Sequence, residues 1–176
     1  LIMASTSDIR KGLCIHYNND IYKVIEFLHV KPGKGPAFVR TKLKSVTSGK
    51  VIDNTFSAGH KIEDVRVETR KYQFLYAVSD VYHFMNTEDY NQIELQESIL
   101  DQPKLMKEGE IVTVMTNTEN NSPLAVEMPA SVILEITHTE PGVKGNTATN
   151  ATKPAIAETG AKINGPLFIN EGDKIK

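Results

Sequence analysis

The chain predicts an all-β protein built of small barrels, and three observations predict it. Apolar and polar residues alternate with period two over run after run; the runs are short and divided by Gly, Pro, Asn and Asp; helical periodicity is almost missing. Strands are expected at 21–30, 37–46, 72–78, 110–115 and 131–137, each rich in β-branched or aromatic residues. The single helix expected lies at 88–100, where Tyr90, Ile93, Glu97 and Leu100 fall at helical spacing and Thr87 is placed to cap the start.

Composition narrows the class. With 40% hydrophobic and 24% charged residues the chain should bury a core and fold. Its longest apolar runs, such as Val132-Ile133-Leu134, fall far short of the roughly 20 residues of a membrane-spanning helix. The first residues carry Asp8, Arg10 and Lys11 without an apolar stretch behind them, so a secretory signal is not expected, and Leu1-Ile2 read as a remnant ahead of Met3. One cysteine, Cys14, leaves no intramolecular disulfide and no multi-thiolate metal site. These observations predict a cytoplasmic protein; a monomer without metal or other cofactor is expected.

The net charge of −2 conceals a division. Residues 1–66 hold eleven Lys/Arg and six Asp/Glu, 67–131 hold four and eleven, and 132–176 hold five of each, giving +5, −7 and zero. A polyanion would therefore meet one end of the molecule. The charge jump near Arg66 and the turn-rich stretch 117–123 followed by Pro129 predict three modules, 1–66, 67–131 and 132–176, each near the lower size limit for an independent core. The segment 141–154, rich in Gly, Asn, Thr and Ala, reads as a long polar loop within the third.

The most informative stretch is a strand ending Phe27-Leu28-His29-Val30, the loop Lys31-Pro32-Gly33-Lys34-Gly35-Pro36, and a return strand from Ala37 to Lys44. Two prolines restrict φ at the loop's ends, and two glycines remove side chains on either side of Lys34, which is left projecting alone. Arms of about seven residues, at roughly 3.3 Å each, could hold that amine about 20 Å from a barrel. Along the return strand Arg40, Lys42 and Lys44 fall on one face, with Val39, Thr41 and Leu43 on the other. A basic stripe is by itself common on a solvated face. Joined to an isolated lysine at a rigid tip, with Lys31 beside it, it points to a phosphate backbone.

Other chemistry fits less well. The loop lacks the Gly-x-x-x-x-Gly-Lys-Ser/Thr spacing of a nucleotide-binding loop, and neither a Gly-x-Ser-x-Gly elbow nor a His-Glu-x-x-His helix occurs. His16, His29, His60, His83 and His138 are scattered and read as structural or surface residues, and Cys14 as a strand residue. A lysine nucleophile would want a desolvated pocket, the opposite of a Gly-flanked tip. No catalytic constellation emerges, so an enzyme is not expected.

The segment Lys31-Pro32-Gly33-Lys34-Gly35-Pro36-Ala37-Phe38 resembles the tip loop of the bacterial elongation factor P family, relatives of the hypusine-bearing initiation factor of archaea and eukaryotes. Far away in the chain, Lys153, Ala155, Gly160, Ile163, Pro166, Ile169 and Gly172 follow the order and spacing of that family's C-terminal signature. The likeness runs from about Ser7 to Lys176. Gly165 stands where the signature usually has valine, which should weaken a strand. Gly145-Asn146-Thr147 lacks the aspartate many members carry there, and the chain stops short of a final strand, so the third barrel is expected to lack its closing element.

The resemblance implies three barrels in an L-shaped, tRNA-like arrangement, an SH3-like KOW module followed by two OB-folds. It implies binding to the 70S ribosome between peptidyl and exit sites and faster peptide-bond formation at consecutive prolines. Lys31, Gly33, Lys34, Gly35, Arg40, Lys42 and Lys44 would meet ribosomal RNA and the CCA end of peptidyl-tRNA, and Gly145, Asn146 and Thr147 the mRNA or ribosome. Lys34 would be the substrate of a modifying enzyme attaching β-lysine or an aminopentanol-type group, or would stay bare. A general RNA-binding KOW/OB protein, or a family paralogue with a narrower task, remains as the alternative.

Overall fold

A computed structural model describes residues 2–142 and 151–176, and its strands form three antiparallel sheets. The first contains β1 (Ile2–Ser5), β2 (Cys14–Tyr17), β3 (Asp20–Val30), β4 (Phe38–Ser45), β5 (Val51–Ser57) and β6 (Lys61–Asp64), in the order β1-β6-β2-β3-β4-β5. The second contains β7 (Val67–Val78), β8 (Val81–Asn86), β9 (Gln92–Gln96), β10 (Ile111–Asn117) and β11 (Ser122–Glu127), in the order β11-β10-β7-β8-β9. The third contains β12 (Leu134–Thr139), β13 (Thr152–Ala157), β14 (Lys162–Pro166) and β15 (Lys174–Ile175), in the order β14-β13-β12-β15. By compactness the chain divides into two units, Leu1–Arg70 with Val114–Ala125, and Lys71–Thr113 with Val126–Lys176.

In the first unit the predicted alternation becomes burial. Ile15, Val24 and Leu43 are fully buried, packed with Ile9, Leu13, Tyr22, Val39, Phe56 and Ile62. Truncating one such side chain to alanine would cost about 2–5 kcal/mol. The β2–β3 turn is Asn18-Asn19, both at positive φ (49° and 60°), the two-residue geometry that matches strand twist. At its exit Asp20 accepts hydrogen bonds from the Ser45 hydroxyl (2.6 Å), the Thr47 hydroxyl (2.8 Å) and the Ile21 N–H (2.8 Å), tying the start of β3 to the end of β4. Burial would raise the Asp20 pKa, but the three donors outweigh it and hold the carboxyl below its ordinary value.

Two expectations fail in the second unit. Residues 88–100 are not a helix: Tyr90 takes a left-handed φ of 61°, the Asn86 N–H donates to the Asn91 carbonyl (2.8 Å) to close a tight turn, and β9 follows. Ile93 pairs across from Phe84 and Leu95 from Tyr82, so the apolar positions serve a strand period and a buried aromatic cluster in which Phe74 lies 5.5–5.6 Å from the rings of Phe84 and Tyr82. Thr87 caps nothing; its hydroxyl donates to the Lys71 carbonyl. Within this stretch only Glu97–Ile99 make a 3-10 turn. Of the loop expected at 141–154, residues 143–150 lie outside the described residues, and the far end is strand instead: β13 begins at Thr152 and carries Pro154 within it, opposite Asn164.

The third sheet also explains Gly165. A Cβ there would collide with Cδ1 of buried Ile169, so the missing side chain leaves no hole; Ile169 fills it.

Candidate nucleic-acid interface

The predicted hairpin is β3 and β4, in register from Tyr22↔Ser45 to Val30↔Phe38. A bulge between Val24 and Glu26 inserts Ile25 as the extra residue and switches faces, so that Val24 lies across from buried Leu43 while Glu26 faces Lys42 on the solvent side. β5 accompanies β4 along its full length, from Lys44↔Val51 to Phe38↔Ser57, and the Ala58 N–H donates to the Ala37 carbonyl (3.0 Å) one residue further. The arm expected to project as a two-stranded ribbon is therefore three strands wide, and the loop 31–36 projects beyond it.

In that loop Lys31, Gly33, Lys34 and Gly35 are all exposed. Gly35 has φ of 104°, a conformation that strains any side chain, and a Cβ added there would come within 3.9 Å of the Pro32 ring. At Gly33 a Cβ would meet open space, so that glycine keeps the side of Lys34 clear rather than permitting a turn.

Arg40 and Lys44 are exposed and Lys42 half-buried on the outer face, while Val39, Thr41 and Leu43 are buried beneath them. The Thr41 hydroxyl donates to the Asn54 carbonyl (2.7 Å), and the Tyr17 hydroxyl donates to the Asn54 side-chain oxygen (3.0 Å), which fixes the backbone under the stripe. The three cations differ in surroundings. The Arg40 guanidinium lies 5.6 Å from the Phe38 ring centroid, within cation–π range. Lys42 sits across from Glu26 on one side and Asp53 on the other, with its Nζ 3.4 Å from the Glu26 carboxylate. Lys44 faces exposed Lys23 on β3. Two ammonium groups side by side repel one another, and an anion laid across them removes that cost.

Lys23 was not singled out by the sequence pattern, although its exposed place between buried Tyr22 and Val24 follows from the alternation; only the register shows that it meets Lys44. Gly145, Asn146 and Thr147 lie outside the described residues. Later in the chain, buried Lys153 donates from Nζ to the Glu140 carbonyl (2.7 Å). Cys14 is buried, and loss of solvation pushes its thiol pKa up, with Lys23 opposing and Asp64 adding to the rise, so it is poorly prepared as a nucleophile. Among the described residues no three His, Cys, Asp or Glu side chains gather as a metal site, and no helix is long and apolar enough to cross a membrane.

Three family models match the chain in succession: the elongation factor P KOW-like domain over residues 5–62, the elongation factor P OB domain over 67–126, and the elongation factor P C-terminal model over 132–176. The chain belongs to the elongation factor P family. It is 76% identical to elongation factor P of Christiangramia forsetii and 72% to that of Flavobacterium psychrophilum, in each case over 99% of this chain and 93% of the relative. With elongation factor P of Mycobacterium avium it shares 50%, over 99% of this chain and 92% of that one. Among solved structures, an initiation factor 5A from Methanococcus jannaschii superposes with a TM-score of 0.55 at 18% identity, over 71% of this chain and 93% of its own. A related protein from Naegleria fowleri superposes with a TM-score of 0.53 at 17% identity, over 72% and 98%. Those two likenesses concern the fold; the sequence relatives make the chain a translation elongation factor.

Proposed function

We propose that the chain binds the 70S ribosome in the cytoplasm, between the peptidyl and exit sites, and speeds peptide-bond formation at consecutive prolines by positioning peptidyl-tRNA. The observation that carries this reading is the exposed Lys34 between two glycines, beyond a three-stranded ribbon whose outer face bears Arg40, Lys44 and Lys23. The three successive family matches support the modular division 1–66, 67–131 and 132–176.

Such a factor performs no acid–base step of its own. Proline is a poor nucleophile and its ring restricts the peptidyl chain, so the barrier it raises is largely one of orientation. Arg40, Lys44 and Lys23 would hold phosphates of the tRNA or ribosomal RNA, and Gly33 and Gly35 would let the loop backbone approach the CCA end. The Lys34 ammonium, bare or lengthened by a modifying enzyme, would fix that end in a reactive arrangement. Peptide mass spectrometry of protein from its native host reads the modification directly, and an unshifted Lys34 peptide would rule it out.

The test of function is the rate of peptide formation on a reconstituted ribosome translating three consecutive prolines, with no factor, with the protein, and with Lys34→Ala. Stimulation by the protein and its loss in the variant is the expected result. Equal stimulation by both would move the active contact away from Lys34, and none from either would overturn the reading in favour of general RNA binding.

A further inference from the structure

The arm has a second side. His29 on β3 stands opposite buried Val39 on β4, on the face away from the Arg40 stripe. There, at the foot of the loop 31–36, lies a recess of about 200 Å³ with Val30, Phe38, Val39 and Ala58 in its walls. Exposed Lys31 stands at the recess, and the exposed His29 ring is braced edge-on by Phe27, with centroids 5.6 Å apart and planes at 80°. Drug-sized ligands occupy roughly 300–1,000 Å³. This recess therefore suits a single ring system rather than a whole cofactor.

Its polar groups come from the 3-10 turn Thr6–Asp8 that follows β1. Thr6 is buried, and its hydroxyl accepts a hydrogen bond from the Gly59 N–H (2.8 Å) while its own proton meets no acceptor among the described residues. The Ser5 hydroxyl donates to the Asp8 carboxylate (3.2 Å), so the Ser7 hydroxyl is the donor toward Ser5 and keeps its own lone pairs free. The recess thus offers one hydrogen-bond donor and one acceptor between apolar walls. Asp8, the carboxylate of that turn, is also held by the Ser5 N–H (2.8 Å), turned back on its own segment. An apolar protein side chain would leave the Thr6 proton unsatisfied and gain nothing from Lys31. An unpaired nucleobase has flat apolar faces, a donor and an acceptor side by side on its edge, and a phosphate within reach of a lysine.

We infer that the recess at the foot of the tip loop holds one unpaired nucleobase, its faces between Val39 and Ala58, its edge on the Thr6 and Ser7 hydroxyls, and its phosphate toward Lys31. This deepens the ribosomal reading above and rests on it. The arm would then be held from both sides, by phosphates on the Arg40 face and by a base on the other.

The test probes base edges chemically in 70S ribosomes with peptidyl-tRNA bound and in ribosomes without tRNA, each with the whole chain or with Ala58→Leu. That change fills the recess from an exposed position and leaves the basic stripe as it is. The whole chain should protect one unpaired base, and Ala58→Leu should lose that protection alone, with its melting midpoint unchanged. Protection seen only with tRNA present, and on the tRNA, assigns the base to tRNA; protection in both samples assigns it to ribosomal RNA. If Ala58→Leu keeps every protection, or if a photo-reactive benzoyl-phenylalanine at position 7 links to protein and not to RNA, the inference fails while the ribosomal reading stands. If the whole chain neither binds nor protects anything, the ribosomal reading fails and takes this inference with it. Independently, Thr6→Val should weaken ribosome binding about fivefold and Thr6→Ser, which keeps the hydroxyl, should restore it. Equal affinity of the two variants would overturn the hydrogen bond to the base edge.

Discussion

Two hairpins carry the two motifs that mark this family, and they put them to opposite use. In β3–β4 the distinctive residues sit in the loop 31–36 and on the outer face, nearly all exposed. In and after β13–β14, Lys153 and the apolar Ala155, Ile163 and Ile169 of the second motif turn inward, while Gly160, Pro166 and Gly172 are exposed. Lys153, Ala155 and Ile169 are buried, Ile163 packs against Ala155 and Ile169, and Gly160 and Gly172 supply positive φ (80° and 87°) where the chain reverses. The first motif is thus a surface whose fold would survive its alteration, and the buried part of the second is packing whose alteration destabilises the fold. Similar prominence in the sequence says nothing about which of these a motif is; burial does.

The largest expected effect falls on the first hairpin alone. If the proposed function holds, Lys34→Ala should lose about tenfold or more of the stimulated rate at consecutive prolines while its melting midpoint matches the unaltered protein, because Lys34 is exposed. A lowered midpoint would break the comparison. The reverse is expected of Ile169→Ala, which should cost about 2–4 kcal/mol in denaturant unfolding yet keep full stimulation wherever it remains folded.

Next comes Gly165→Val. Because Ile169 already occupies the space, restoring a side chain should destabilise by about 1–3 kcal/mol rather than strengthen β14, and pairing it with Ile169→Val should recover part of the loss. A stabilised single variant would show that Ile169 swings aside at no cost.

Smaller effects sharpen the first hairpin. Arg40→Ala, Lys44→Ala and Lys23→Ala should each flatten the log–log salt dependence of ribosome binding by roughly 0.7–0.9, and Lys42→Ala by less, because Glu26 and Asp53 flank that amine. Equal slopes for all four would mean that the carboxylates swing away on binding.

The smallest effect concerns pH. Asp20 is held below its ordinary pKa of 3.8, so its contribution is present at neutral pH and is lost as pH falls through the lower, folded value. Asp20→Asn should therefore be less stable near neutrality, and acid should cost it less further stability than it costs the unaltered protein. Parallel acid titrations of unfolding would contradict the role of the Ser45 and Thr47 hydroxyls.

Much of this is legible in the sequence wherever the information is local. The alternation 39–44 sorted Arg40, Lys42 and Lys44 from Val39, Thr41 and Leu43 correctly, because a strand's period needs no partner to be read. What escaped depended on register. That Lys42 lies between two carboxylates and Lys44 beside Lys23 follows from which residue of β3 and β5 stands opposite, and the bulge at Ile25 shifts that count by one. The helix expected at 88–100 failed for a related reason: Ile93 and Leu95 answer to Phe84 and Tyr82 across the sheet, a demand that outweighs a short run of helical spacing. Gly165 looked like a loss because its filler, Ile169, belongs to a different segment from its own strand.

The company β5 keeps with β4, up to Ser57 opposite Phe38, bears on mechanics. A two-stranded arm bends and twists readily, and its end wanders by more than the fraction of an ångström that decides whether two reacting atoms are aligned. A third strand makes the arm a stiff lever, so a grip taken at its base is delivered as placement at its tip. On the proposed reading, the accuracy of Lys34 is set by how firmly the first sheet is held, and loosening a phosphate contact at Lys44, near the base, would blur the tip without altering any atom of it.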